Sequence, residues 1–179
     1  YAEADPTFDV DGIDTAHKLA ILAALAFGGR PDIDAIHVEG IRHVTIDDIR
    51  FAEELGFRIK LLGVARMTGQ GLEQRVHPCM VPLSAPIAHV EGVFNAVVAE
   101  GDAVGGTMFQ GRGAGRGPTA SAVVADLIDI ARGHAGPAFS VPALALGAPA
   151  AAPIDAHVGA FYIRLMVLDQ PGVLADVAR

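Results

Sequence analysis

Cysteine is nearly absent. Cys79 stands alone, which excludes an internal disulfide framework and fits a reducing compartment. Positive charge is scarce too: 13 Lys and Arg against 21 Asp and Glu give a net charge of −8. Phosphate-rich polymers need a basic surface, so nucleic acid is excluded as the main partner. No apolar run approaches the ~20 residues that span a bilayer. No signal peptide opens the chain, so a cytoplasmic protein without a membrane partner is expected. No internal repeat is evident. No initiator methionine precedes Tyr1, and the chain reads as a piece of a longer protein. What is present is apolar: 51% of residues are hydrophobic and 19% charged, enough for a substantial core and too apolar for global disorder. A length of 179 residues suits one large domain, or one domain plus a fragment.

Charge is concentrated at the start. Glu3, Asp5, Asp9, Asp11, Asp14 and Lys18 crowd into eighteen residues that lead into an almost wholly apolar helix. Residues 14–27 are mostly strong helix formers ended by Gly28-Gly29, and from Leu19 to Phe27 every residue is apolar, so burial on most sides is expected. Asp14 and Lys18, four apart, share a helix face. Such carboxylates can grip an ammonium group. A partly buried Lys18 could exchange a proton with a hydroxyl or carbonyl oxygen. The structural alternative stays open on spacing alone. Asp5, Asp9 and Asp11 would be loop and cap residues, and Asp14–Lys18 a solvated pair contributing roughly a few tenths of a kcal/mol.

Downstream, His37–Ile41 reads as a short loop or edge segment. Thr45 is a helix N-cap with Asp47 and Asp48 in the first turn, and the helix runs to about Leu55 with Ile46, Ile49 and Ala52 inward. Residues 57–61 alternate as a strand, 67–71 turn, and 72–81 form a second strand, which Pro78 places at an edge or ends. His77 reads as an ordinary strand end and Cys79 as a small buried hydrophobe. Residues 94–100 and 103–109 flank a Gly101-Asp102 hairpin turn. Gly111, Gly113, Gly115 and Gly117 then open a helix striped by Ala120, Val123, Val124, Leu127 and Ala131. That loop suits either a strand-to-helix hinge or an anion at a helix N-terminus; it lacks the Gly-Lys-Ser/Thr ending of a P-loop. The histidines, His37, His77 and His89 among them, have no metal-ligand spacing with Cys79, so no metal is expected. Residues 134–158, rich in Ala, Pro and Gly, read as a linker or surface-wrapping arm. Residues 161–167 read as a strand, 169–172 as a turn, and 173–178 as the start of a helix.

The string Tyr1-Ala2-x-x-Asp5-Pro6-x-x-Asp9-Val10-x-Gly12-x-Asp14-x-x-x-Lys18 closely resembles the signature of homoserine dehydrogenases. The similarity extends through Glu39-Gly40-Ile41, the Asp47-Asp48 helix, Gly92–Ala96 and the glycine-rich turn, over roughly residues 1–133. The resemblance implies an α+β fold: a mixed, mainly antiparallel sheet with helices packed on one face, the sheet serving dimerisation. It places the catalytic lysine at Lys18 with Asp14 beside it. Glu3 and Asp14 match residues that bind L-homoserine, and Tyr1 and Asp9 line the same pocket. Gly113 and Gly115 are the expected cofactor contacts, for NAD or NADP. The implied reaction interconverts L-homoserine and L-aspartate 4-semialdehyde in a homodimer. The main nucleotide-binding domain is expected upstream of Tyr1, so the chain alone is expected to be inactive. Residues 159–179 resemble the start of an ACT regulatory domain, with threonine a possible effector of the full-length protein. A second reading stays in view: a non-catalytic dimerisation or amino-acid-sensing module with a merely structural acidic cluster. An anion-binding protein built on the glycine loop is the third.

Overall fold

The computed structural model describes residues 5–134, 136–168 and 170–178. Two helices open it: a single turn, α1 (Thr7–Val10), and α2 (Ile13–Phe27). The face of α2 turned inward is made of small residues and one leucine: Ala16, Leu19, Ala20, Ala23 and Ala24. Small side chains let a helix axis approach a sheet closely. Ala16, Leu19 and Ala20 form the core with Ile36 and Val76, and Val38, Leu61 and Ala65 pack against it. The opposite side of α2, with Ile21, Leu22 and Leu25, is exposed. The expected burial on most sides is therefore found on one face only, because no described segment of this chain covers the other.

The sheet beneath has the order β1-β3-β2. β2 (Phe57–Thr68) and β3 (Gly71–Pro82) form a twelve-residue antiparallel hairpin. β1 (His37–Val38) adds to β3 in parallel, opposite Arg75 and Val76. β2 runs seven residues beyond the expected 57–61, through Leu61-Leu62-Gly63, where alternation fails. Leu61 and Leu62, whose side chains point to opposite faces, are both partly buried, and two-sided burial erases a period of two. Pro78 lies opposite Leu61 within the hairpin, beyond the reach of β1, so it has a strand on one side only. His77 is correspondingly mid-strand, not a strand end.

α3 (Ile46–Glu54) begins at Thr45 as expected, with a full capping box. Thr45 Oγ1 accepts from the Asp48 N–H at 3.3 Å, and Asp48 Oδ2 accepts from the Thr45 N–H at 2.8 Å. Its buried residues are Asp48 and Ala52, one turn apart, whereas Ile46 and Ile49 are exposed. The inward face is thus rotated from the one the isoleucines suggested, because the acid at Asp48 has partners that take it out of solvent. β4 (Phe94–Gly101) and β5 (Gly105–Arg112) make a second, two-stranded antiparallel sheet. Its turn falls at 102–104, starting one residue later than expected and one residue longer, and Gly105 takes the left-handed conformation (φ 69°) that closes it. α4 (Arg116–Ala131) follows and buries none of its residues.

The Ala/Pro/Gly-rich stretch wraps the surface. The Arg30 N–H donates to the Gly147 carbonyl at 2.9 Å, the Leu72 N–H to that of Ala150 at 2.8 Å, and the Ala152 N–H to that of Leu72 at 3.0 Å. Residues 161–167 form no strand. Their backbone finds no ladder partner among the described residues; instead Tyr162 and Arg164 reach back to α3. A short α5 (Val173–Val177) ends the described chain. No helix among the described residues is long and apolar enough to cross a membrane.

Candidate functional site

The opening cluster is built by a helix start that only glycine permits. Gly12 has φ 80°, and a Cβ there would stand 3.0 Å from Val76 Cγ1. Backbone and packing therefore both require glycine between α1 and α2. α1 packs on α2, with Phe8 edge-on to His17 at 5.4 Å between centroids. Asp5 accepts the Thr7 N–H at 3.0 Å; the Thr7 side chain first, and this N–H second, hold its carboxyl below the usual range.

The structure brings Asp14 and Lys18 together: Lys18 Nζ donates to Asp14 Oδ2 on the exposed side of α2. Lys18 is 55% and Asp14 41% exposed, so the partial burial expected of Lys18 is not found within this chain. Asp9 lies exposed on α1. Tyr1 and Glu3 lie outside the described residues. Arg42, to which sequence spacing gave no clue, forks onto Asp11. Its Nη2 donates to Asp11 Oδ2 at 3.0 Å, and its Nε to Oδ1, an arrangement that lowers the Asp11 pKa.

The glycine loop joins β5 to α4. A Cβ at Gly113 would overlap the Asn95 amide, and the Gly113 N–H donates to the Val93 carbonyl at 2.9 Å, so this glycine has a packing reason of its own. Gly115 caps α4 at φ 122°, without a side-chain cap. The uncapped N–H groups at the start of α4, flanked by Arg112 and Arg116, suit an anionic group such as a cofactor phosphate. No hydrogen bond or ion pair among the described residues joins this loop to Asp14 or Lys18.

Two other clusters went unseen in the sequence. Glu73, buried on β3, pairs with Arg66 at 3.0 Å and with Arg75, while His157 Nδ1 of the arm stands 2.9 Å from its Oε1 without a well-directed hydrogen bond. Burial lowers the His157 and Arg75 pKa values and raises that of the half-buried Cys79, which argues against a thiolate nucleophile. Open clefts of about 320 and 300 Å³ flank Glu73 and the arm; neither is lined by Lys18 or Asp14. The second cluster gathers the tail on α3. The Tyr162 hydroxyl donates to Asp48 Oδ1 at 3.0 Å, and Arg164 Nη1 lies 3.2 Å from Asp48 Oδ2 and bonds Thr45 Oγ1.

A helix start carrying Asp14 and Lys18, sheets feeding a glycine-capped helix, and a tail folded back over α3 together have known counterparts. A profile of the homoserine dehydrogenase family matches residues 1–128. The chain belongs to the homoserine dehydrogenase family. A homoserine dehydrogenase of Pseudomonas aeruginosa is 53% identical over 99% of this chain and 42% of its own length. The crystal structure of a homoserine dehydrogenase from Thiobacillus denitrificans superposes with a TM-score of 0.86 at 48% identity, over 99% of this chain and 42% of that one. A hyperthermophilic archaeal homoserine dehydrogenase mutant in complex with NADPH superposes with a TM-score of 0.58 at 32% identity, over 73% of this chain and 36% of that one. The chain thus spans about two fifths of the length of the homoserine dehydrogenases it matches, and its mixed α and β fold with small, mostly antiparallel sheets is theirs.

Proposed function

We propose that this chain is the substrate-binding and dimerisation region of a longer, cytoplasmic homoserine dehydrogenase that interconverts L-homoserine and L-aspartate 4-semialdehyde. The observation that carries this reading is the Lys18–Asp14 pair at the head of α2, set within a fixed-spacing motif by Gly12. Lys18 Nζ takes the hydroxyl proton when the alcohol is oxidised and returns it to the carbonyl oxygen in reverse. Asp14 holds the lysine in place and, with Glu3, offers negative charge to the substrate ammonium; Tyr1 and Asp9 line the same pocket. NADP or NAD, when bound, accepts or supplies the hydride. Gly113 and Gly115, in the loop between β5 and α4, would hold that cofactor.

The exposure of Lys18 and of Ile21, Leu22 and Leu25 supports a site closed by further protein. By itself the chain would then not turn over homoserine. The unburied apolar stripe of α4, with Val123, Val124 and Leu127, supports a homodimer. We assign 1–133 to the catalytic region, 134–158 to the arm and 159–179 to the start of an ACT-like regulatory domain, with threonine as candidate effector.

Calorimetry on the full-length enzyme carrying this chain tests the reading. L-Homoserine is expected to bind, and Asp14→Asn to weaken that binding at least about tenfold, one lost charged contact being worth ~1.5–3 kcal/mol. Threonine binding without homoserine binding would instead favour the amino-acid-sensing module.

A further inference from the structure

The opening motif is fastened to a loop far along the chain. Three successive residues do the fastening. Gly40 lies so close that a Cβ there would run into the Val10 carbonyl oxygen and the Asp11 Cα. The Ile41 N–H donates to the Val10 carbonyl at 2.9 Å. The Arg42 guanidinium then takes both carboxylate oxygens of Asp11, and its Nη2 reaches Thr7 Oγ1 at 3.4 Å. Asp11 is the last residue before Gly12, and α2 starts at Ile13, so the direction in which Asp14 and Lys18 leave the sheet depends on where Asp11 is held.

We propose that Arg42 is a positioning residue of the homoserine site: its fork on Asp11 fixes the first two turns of α2 and so aims Lys18 and Asp14. The proposal rests on the reading of that pair as the substrate site. A planar guanidinium meeting both oxygens constrains orientation as well as distance, which an ammonium on one oxygen cannot do. Both partners are partly solvated, Arg42 at 53% and Asp11 at 35%, and pairs of that kind add little to global stability. Loss of the fork should therefore leave the fold in place and loosen the aim. Small misplacements of catalytic groups are costly, up to about a hundredfold for 1 Å.

The test uses the full-length enzyme carrying this chain, with Arg42→Leu, Arg42→Lys, Asp11→Asn and Lys18→Ala. Arg42→Leu is expected to lower kcat/KM for L-homoserine roughly tenfold or more, with KM for the cofactor and the melting temperature unchanged. Arg42→Lys keeps one of the two contacts and should recover part of the loss. Asp11→Asn should match Arg42→Leu, and the double variant should be no worse than either. Unchanged kcat/KM in Arg42→Leu, with Lys18→Ala inactive, overturns this inference alone. So does a lowered melting temperature with normal kinetics in the folded fraction. Full activity in Lys18→Ala overturns the site reading, and this inference with it.

Discussion

Gly12 is the residue on which the candidate site turns. It lies between Asp11, held by Arg42, and the first turn of α2, which carries Asp14. Alanine there would have to adopt φ 80° and bring a methyl group to 3.0 Å from Val76. The left-handed conformation alone costs about 1–2 kcal/mol for a residue with a Cβ, and the crowding adds to it. Gly12→Ala is therefore expected to destabilise the chain by at least that amount in urea unfolding, with an unchanged m-value. An unchanged midpoint would show that the turn relaxes freely. The Asp14–Lys18 pair was legible in the sequence because its spacing is a helical turn, a purely local relation. Arg42 was not, because it meets Asp11 across 31 residues, and only the folded backbone brings them together. The same holds for Glu73: a charge in a strand pattern reads as solvent-facing until Arg75 and His157 are seen over it.

At the scale of elements, α3 shows how a correct local signal acquires a second use. Its N-cap was legible at Thr45 with Asp48 in the first turn, and the structure closes the two into a capping box. What the local sequence could not show is that Tyr162 and Arg164, more than a hundred residues later, close on the same carboxylate. Residues 161–167 have the composition of a strand, but a strand needs a neighbour, and among the described residues none is offered. The long β2–β3 hairpin was half legible for a related reason: periodicity marks a strand with one wet face and falls silent where neighbours such as Leu61 and Leu62 are both partly buried. The Asp48 carboxyl is held below its ordinary pKa, first by the Thr45 N–H and hydroxyl and then by Tyr162 and Arg164. A depressed carboxylate stabilises above its unfolded pKa, near 4, and that stabilisation is lost as pH falls through the lower folded value. Thermal melts of the chain from pH 6 to pH 2 should thus show an acid-side loss that is smaller in Asp48→Asn, since the variant lacks this group's stabilisation at every pH, while Asp5 and Asp11 still contribute theirs. Parallel pH curves for the two proteins would contradict this.

At the scale of the whole molecule, the two sheets differ in how much they enclose. The β1-β3-β2 sheet and α2 surround a core, and the arm seals one edge of β3. The β4–β5 sheet and α4 leave apolar side chains such as Phe109 and Leu127 in solvent, the state of a surface that a second copy would cover. Composition announced an apolar protein but not where the apolar surface would lie. The opening motif carried the family, and the family carries the proposed chemistry. The claim that this chain supplies the substrate half of a homoserine dehydrogenase rests most directly on Lys18. In the full-length enzyme carrying this chain, Lys18→Ala should lower kcat for cofactor-dependent oxidation of L-homoserine by about two to four orders of magnitude, the range of a lost acid–base group, while light scattering shows the same mass as for the unsubstituted enzyme. A kcat within a few-fold of the unsubstituted enzyme's, in an assembly of the same mass, would contradict the account.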